Sequence, residues 1–103
     1  MLNHGCSKNH RCFIPGFQKR GNGLVRYEVW IDQDGRVAHY NLAYINRSIF
    51  QKDNGRAVGY DNAHGEHHRH YVDSVETIVF TDFDAIEERF RHDWMALASR
   101  ERQ

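Results

Sequence analysis

At 103 residues, the chain is long enough for one modest hydrophobic core and too short for two, so we expect a single folded domain. Its hydrophobic content of 40% and aromatic content of 13% exclude an intrinsically disordered protein. The formal net charge is zero, no run approaches the roughly 18 apolar residues of a membrane span, and the polar start lacks a secretory signal. The sequence therefore predicts a cytoplasmic protein with no membrane partner.

The zero net charge hides an uneven distribution along the chain. Residues 1–56 carry nine Lys and Arg against four acids, whereas residues 57–103 carry five against ten. A basic face could contact phosphate, and an acidic face could meet a basic partner. Two solvated faces of opposite charge, without any partner, are an equally good interpretation.

The first segment, residues 1–23, is rich in Gly, Asn, Lys and Arg and shows no hydrophobic period, so it predicts a flexible or poorly ordered N-terminal extension. Structural zinc sites usually place pairs of ligands on separate elements across a longer loop than this segment offers. We therefore expect no zinc site here, and no disulfide in a reducing cytoplasm. The residues in question are His4, Cys6, His10 and Cys12.

The next segment predicts two strands of an antiparallel meander. Leu24 to Asp32 alternates apolar and polar residues, Asp34-Gly35 is a favoured pair for a tight turn, and Arg36 to Ile45 continues as a second strand. Trp30 falls on the mostly polar face of the first strand. It is either ordinary cover for the sheet or a platform on which a base stacks.

Four of the eight histidines lie within seven residues of the segment that follows, which we call the histidine stretch, Gly55 to Tyr71. Gly55 to Tyr60 predicts one strand, Asp61 to Gly65 a loop, and Glu66 to Val72 a returning strand. Val75 to Phe80, rich in residues that favour β-structure, predicts the last strand.

A helix is predicted to start at Thr81 or Asp82, because a capping residue there precedes several acidic side chains. The apolar residues after it recur at helical spacing and predict the face laid on the sheet. The fold class is thus α+β, with an antiparallel four- to five-stranded meander sheet covered by one C-terminal helix in a single domain over residues 24–103. The apolar stripe comprises Phe83, Ile86, Phe90, Trp94 and Leu97.

Strand alternation divides the histidine stretch between two faces. His68 and His70 should lie side by side about 6 to 7 Å apart, and His67, Arg69 and Tyr71 should lie on the opposite face. His64, in the loop, could approach either set. A cluster of groups that titrate near neutral pH favours a functional site, although a polar edge strand whose histidines stay hydrated is the alternative.

Three blocks of this sequence carry a resemblance to a known family. They are RYEVWIDQDGRV at Arg26 to Val37, HYNLAYI at His39 to Ile45, and DNGRAVGYDNAHGEHHRHY at Asp53 to Tyr71. The sequence resembles the TumE-like family of toxin components from prokaryotic toxin–antitoxin operons. The resemblance implies a small toxin neutralised by a helix-turn-helix antitoxin encoded nearby, and it leaves the biochemical activity open.

The chemistry of the side chains favours a metal-independent ribonuclease that needs no cofactor. One imidazole would remove the proton of a ribose 2′-OH, and a second would protonate the departing 5′ oxygen. His68 and His70 suit these roles, with His64 as the alternate. Arg56 or Arg69 would stabilise the charge that develops on phosphorus.

Other residues of the stretch, together with Trp30, are candidates for binding the RNA substrate. Two further classes of function stay open. His64, His68 and His70, with Asp61 or Glu66, could instead ligate zinc, or the toxin could act without catalysis by binding a cellular target. The chain could also form a homodimer. The candidate substrate-binding residues are Trp30, Tyr60, Asp61, Asn62, His67 and Tyr71.

Overall fold

A computed structural model of the protein describes residues 12–101, and for residues 12–15 the backbone only. Within this range, six strands form one antiparallel sheet in chain order, and one long helix follows them. No helix in this range is both long enough and apolar enough to cross a membrane. The elements are β1 Cys12–Arg20, β2 Gly23–Ile31, β3 Val37–Ile45, β4 Arg56–Asp61, β5 His68–Tyr71, β6 Ser74–Thr77 and α1 Phe83–Glu101, with 3₁₀ turns at Asp53–Gly55 and Ala63–Gly65.

The fold class predicted from the sequence, a meander sheet with one C-terminal helix, is confirmed, and the strand count is six instead of four or five. The additional strand is β1, which lies within the predicted flexible extension. It pairs with β2 along its whole length, from Cys12 opposite Ile31 to Arg20 opposite Gly23. The prediction was wrong for residues 12–20 because pairing with a neighbouring strand overrides a weak local pattern.

The remainder of the predicted extension, residues 1–11, lies outside the described residues. The same applies to His4, Cys6 and His10, and only the backbone of Cys12 is described, so the predicted absence of a zinc site and of a disulfide at these four residues falls outside the described part of the chain. The other boundaries differ by a few residues from those predicted. β6 ends at Thr77, and residues 78–82 connect it to the helix.

One face of the sheet, the covered face, packs against α1, and we call the opposite side the open face. Asp82 caps the helix, since its Oδ1 accepts a hydrogen bond from the Ala85 N–H at 2.8 Å. The apolar stripe then lies on the sheet as the helical spacing predicted. The core residues of the helix are Ile86, Phe90, Trp94 and Leu97, and those of the strands include Val25, Val29, Tyr40, Leu42, Tyr44, Val58 and Tyr60.

A group of hydrogen bonds, which we call the polar tie, crosses this apolar interface between the helix and the sheet. Asp93 Oδ2, on α1, accepts hydrogen bonds from the Tyr60 hydroxyl at 2.6 Å and from Arg69 Nε at 2.8 Å. Arg69 Nη1 also donates to Glu76 Oε2 at 2.8 Å, which links β5 to β6. Burial, followed by the contact with Asp93, raises the pKa of Tyr60 to about 12. The tie satisfies polar groups that would be costly to bury unpaired.

Gly23, where β2 begins, offers a test of this packing. A Cβ at Gly23 would lie 2.5 Å from Cε1 of Tyr44, whose ring is fully buried and stacked 5.5 Å from that of Trp94. We expect Gly23→Ala to lower the free energy of unfolding by about 1 to 3 kcal/mol, as overpacked cores do. Urea denaturation measures this change.

Gly16→Ala on β1 is the matched control, because its Cβ would meet Tyr27 Cβ at an ordinary 3.6 Å. It should change the stability little. Equal losses of stability for both variants would contradict the packing described here.

Candidate active site on the open face of the sheet

His68 and His70 lie side by side on the open face. On the neighbouring strand β4, Asp61 is opposite His68 and Gly59 is opposite His70. The two imidazole rings are 6.5 Å apart between centroids, with their planes inclined by 58°. Alternation along a strand, as argued from the sequence, is sufficient to bring them together.

The carboxylate of Asp61 lies between the two imidazoles. Its Oδ2 is 3.1 Å from His70 Nε2, and its Oδ1 is 3.8 Å from His68 Nδ1. Glu66, which is more exposed, places Oε1 3.5 Å from the other ring nitrogen of His68. A shared carboxylate of this kind can orient both rings and hold their protons in place.

Arg56 completes the cluster. Its Nη2 donates to His70 Nδ1 at 3.2 Å, its Nη1 lies 3.6 Å from Asp61 Oδ2, and its Nε donates to Asp53 Oδ2 at 2.8 Å. The side chain runs over Gly59, where a Cβ would come within 2.8 Å of the arginine Cδ. The missing side chain at Gly59 therefore leaves room for the arginine to reach the imidazole.

A β-bulge explains why Arg56 is on the open face at all. Val58 and Tyr60, two and four residues further on, are buried on the covered face, and simple alternation would place Arg56 with them. The register between β3 and β4 shifts, so that Tyr44 opposes Val58 but Ile45 opposes Arg56. Bulges of this kind re-aim side chains and are common beside active sites.

These contacts indicate the protonation of His70. Arg56 Nη2 is closer to Nδ1 of His70, at 3.2 Å, than to Nε2, at 3.5 Å, and Asp61 Oδ2 lies 3.1 Å from Nε2. Because a guanidinium only donates and a carboxylate only accepts, these distances favour the neutral tautomer with its proton on Nε2, facing Asp61. Burial lowers the pKa of His70, and the positive charge of Arg56 lowers it further, against the opposing effect of Asp61. His70 is thus held in its neutral form near pH 7.

Two of the four clustered histidines lie elsewhere. His64 is exposed in the 3₁₀ turn, with a left-handed φ of 63°. Across the described part of the chain, no hydrogen bond or ion pair joins it to the cluster. His67, on the covered face, stacks against Phe80 and Tyr40 at centroid distances of 4.2 and 5.7 Å, and its Nδ1 is 2.8 Å from the Tyr40 hydroxyl. Its role is in packing.

Several other candidates from the sequence belong to the covered face or to the strand ends. Arg69 is engaged by Asp93 and Glu76, and its guanidinium lies 4.6 Å from the ring centre of Tyr71. Tyr60 is fully buried. These three residues are not brought to His68 and His70, so of the two candidate arginines only Arg56 reaches the cluster.

Asn62 and Trp30 have structural contacts of their own. The Asn62 side chain accepts from the Tyr40 N–H at 2.9 Å and donates to the Ala38 carbonyl at 3.2 Å, which holds the loop to β3. Trp30 lies beside His39, with ring centroids 4.6 Å apart. The Asn62 contacts hold the loop in place, and Trp30 and His39 are opposite each other on the open face.

The sequence did not identify two features of this site. Asp61 was expected to bind substrate, whereas the structure places it between the catalytic candidates. Gly59 was not singled out, because nothing in a glycine's neighbours shows that a side chain from three residues earlier will cross it. Only the cross-strand register reveals either role.

The arrangement of these side chains is also relevant to the zinc site that the sequence left open as an alternative. Among residues 12–101, no group of three or more His, Cys, Asp and Glu side chains is arranged to hold a metal ion. The guanidinium of Arg56 already lies against the Asp61 carboxylate, where a cation would be needed. The zinc ligand set of His64, His68 and His70 is thus not assembled by these residues.

Comparisons with protein-family models, with curated proteins and with solved structures found no match for this chain. The resemblance to TumE-like toxins stays a prediction from the sequence blocks quoted above. The case for a function consequently depends on the geometry of the open face.

The opposing influences on His70 give a prediction about its titration. Arg56→Gln removes a nearby positive charge and should raise the pKa of His70, whereas Asp61→Asn removes a negative charge and should lower it. NMR titration of the imidazole protons measures both shifts. His64→Gln, at the exposed turn, is the control and should leave the pKa of His70 unchanged. Shifts of the same sign for the Arg56 and Asp61 variants would contradict the described contacts.

Proposed function

We propose that this protein is a metal-independent ribonuclease that cleaves RNA with His68 and His70 as its acid and base. The observation that supports this most is the pair of imidazoles 6.5 Å apart on the open face of the sheet, with a carboxylate between them and an arginine beside them. Two imidazoles at such a separation can lie on either side of one phosphodiester. Acid–base catalysis requires that each group reach the proton that it transfers, which two such flanking imidazoles could do.

In the reaction that follows from these positions, His70 is the base, because its neutral form is favoured at pH 7. It takes the proton of the ribose 2′-OH, and the 2′ oxygen attacks phosphorus. The bond from phosphorus to the 5′ oxygen breaks as His68 donates a proton to that oxygen. The products are a 2′,3′-cyclic phosphate and a 5′-hydroxyl end, with no water or metal consumed.

Arg56 connects the binding of the substrate phosphate to the release of the His70 lone pair that would accept the proton. Its guanidinium donates a hydrogen bond to His70 Nδ1, the nitrogen that would have to accept the proton. A phosphate is a stronger acceptor than an imidazole, so an arriving phosphodiester would draw the guanidinium away and free that nitrogen. The same guanidinium would then stabilise the negative charge that develops on the phosphate oxygens.

The biological role we propose is that of the toxin in a cytoplasmic toxin–antitoxin pair, with a helix-turn-helix antitoxin as partner. The blocks Arg26 to Val37 and Asp53 to Tyr71 support it, through their resemblance to TumE-like toxins. Cleavage of cellular RNA would account for toxicity. The whole cluster lies within one chain, so catalysis does not require a second copy.

The catalytic proposal predicts that His68→Ala and His70→Ala each reduce RNA cleavage by about 10² to 10⁴-fold, the usual contribution of a general acid or base. Wild-type activity should survive EDTA and follow a bell-shaped pH profile. Because partly exposed strand positions tolerate substitution, the melting temperature should change little. Single-turnover cleavage of a labelled RNA, with calorimetry alongside, measures all of these quantities.

His64→Ala is the matched control, since this histidine lies in the same stretch but outside the cluster. It should retain nearly full activity. Cleavage abolished by EDTA and restored by zinc would overturn the metal-free mechanism. Equal losses for all three alanine variants would overturn the assignment of residues.

The toxin proposal predicts that expression of this chain arrests bacterial growth and that co-expression of the adjacent helix-turn-helix protein relieves the arrest. His70→Ala, expressed to the same level, should not arrest growth if toxicity comes from cleavage. Growth curves with a gel of the soluble protein provide the measurement. An arrest that persists in this variant would instead favour a toxin that acts by binding.

A further inference from the structure

We propose that a depression on the open face, between Arg26 and Arg56, is a phosphate-binding subsite beside the catalytic cluster. The inference rests on the proposed function in one respect: in a ribonuclease, the phosphate would be the one next to the cleaved phosphodiester. The depression has a volume of about 230 Å³, which is room for a phosphate group. Its lining residues are Arg26, Ile45, Asp53, Asn54 and Arg56.

Arg26 provides an unsatisfied donor. Its Nε is buried, and among the described residues it has no hydrogen-bond partner. A buried donor without an acceptor is costly, and a group of this kind in a folded protein calls for an explanation. A phosphate oxygen in the depression would supply the acceptor, with the strength of a charge-assisted hydrogen bond.

The cross-strand register places Arg26 in the same row as the proposed base. Arg26 on β2 is opposite Ala43 on β3, Ala43 is opposite Gly59 on β4, and Gly59 is opposite His70 on β5. The two residues between the ends of this row have the smallest side chains. A shallow path is therefore left across the open face from Arg26 to His70.

Arg56 belongs to both sites. It lines the depression, its side chain crosses Gly59, and its Nη2 reaches His70. Two guanidiniums and one carboxylate, that of Asp53, line the depression, and Arg56 is also paired with Asp61. The charge of Arg26, whose Nε has no partner among the described residues, suits a phosphate. A strand bound there would extend toward the histidine pair.

The loop that walls the depression is held in an unusual conformation. Asp53 and Asn54, neither of them glycine, have left-handed φ values of 52° and 55°, and Gly55 follows with 86°. Such conformations persist where the surrounding structure over-determines them, and they are concentrated at ligand-binding sites. Asp53 in this position both borders the depression and anchors Arg56 Nε.

Titration with inorganic phosphate, followed by NMR of the arginine Nε–Hε groups, tests the site without RNA. We expect a saturable shift of the Arg26 signal in the wild-type protein. Arg26→Gln should weaken phosphate binding by about tenfold or more, as the loss of a charge-assisted hydrogen bond predicts. Arg26→Lys keeps the charge and guards against a folding defect, but it lacks the Nε donor, so it should also bind more weakly.

The control for these variants is Arg36→Gln, in the exposed turn between β2 and β3. It removes one positive charge from the surface and should leave phosphate binding unchanged. Calorimetry confirms that each variant is folded. Equal weakening by the Arg26 and Arg36 variants would show that only net charge matters and would overturn the subsite.

Short RNA substrates show whether the depression binds a phosphate of an RNA strand or only a free phosphate ion. A dinucleoside monophosphate has only the cleaved phosphate, and a trinucleoside diphosphate adds its neighbour. The wild type should cleave the longer substrate with a higher kcat/KM than the shorter one, and Arg26→Gln should lose this gain. Retention of the gain in that variant would overturn the inference. Phosphate binding at Arg26 without cleavage of any RNA would support the subsite and refute the ribonuclease.

Discussion

The contact on which the arrangement of the site depends is the one made by Asp93 with Tyr60 and Arg69. It fixes β4 and β5 to the helix by hydrogen bonds of 2.6 and 2.8 Å. Because side chains alternate along a strand, holding Tyr60 and Arg69 against the helix turns their neighbours, Asp61 and His70, toward the opposite side. This carboxylate on the helix thus reinforces the orientation that the burial of Tyr60 and the alternation along the strands give to the histidine stretch.

The histidine stretch consequently contributes both to the edge of the core and to the candidate active site. Its inward residues, such as His67 between Phe80 and Tyr40, complete the packing at the edge of the core. Its outward residues, His68 and His70, lie partly buried on the open face with a shared carboxylate. Since neither set can be moved without moving the other, the stability of the hairpin and the geometry of the cluster are coupled.

The alternation of β5 and the helical stripe were readable from the sequence because each depends on local period alone. The position of Arg56 was not, because a bulge opposite Ile45 reverses the face that alternation assigns to it. The same limit applies to β1, whose strand structure depends on pairing with β2. In both cases, the feature that the sequence could not predict is the pairing or the register between two strands.

A substitution at Gly59 would disturb the proposed site while leaving the rest of the molecule intact. Its backbone is not in the left-handed region, so an alanine is conformationally acceptable, yet the added methyl group would displace the flexible Arg56 side chain. A chain changed only there would keep its core and nearly all of its outer surface. Such a variant would still present that surface to a binding partner, so binding could be studied separately from the proposed cleavage.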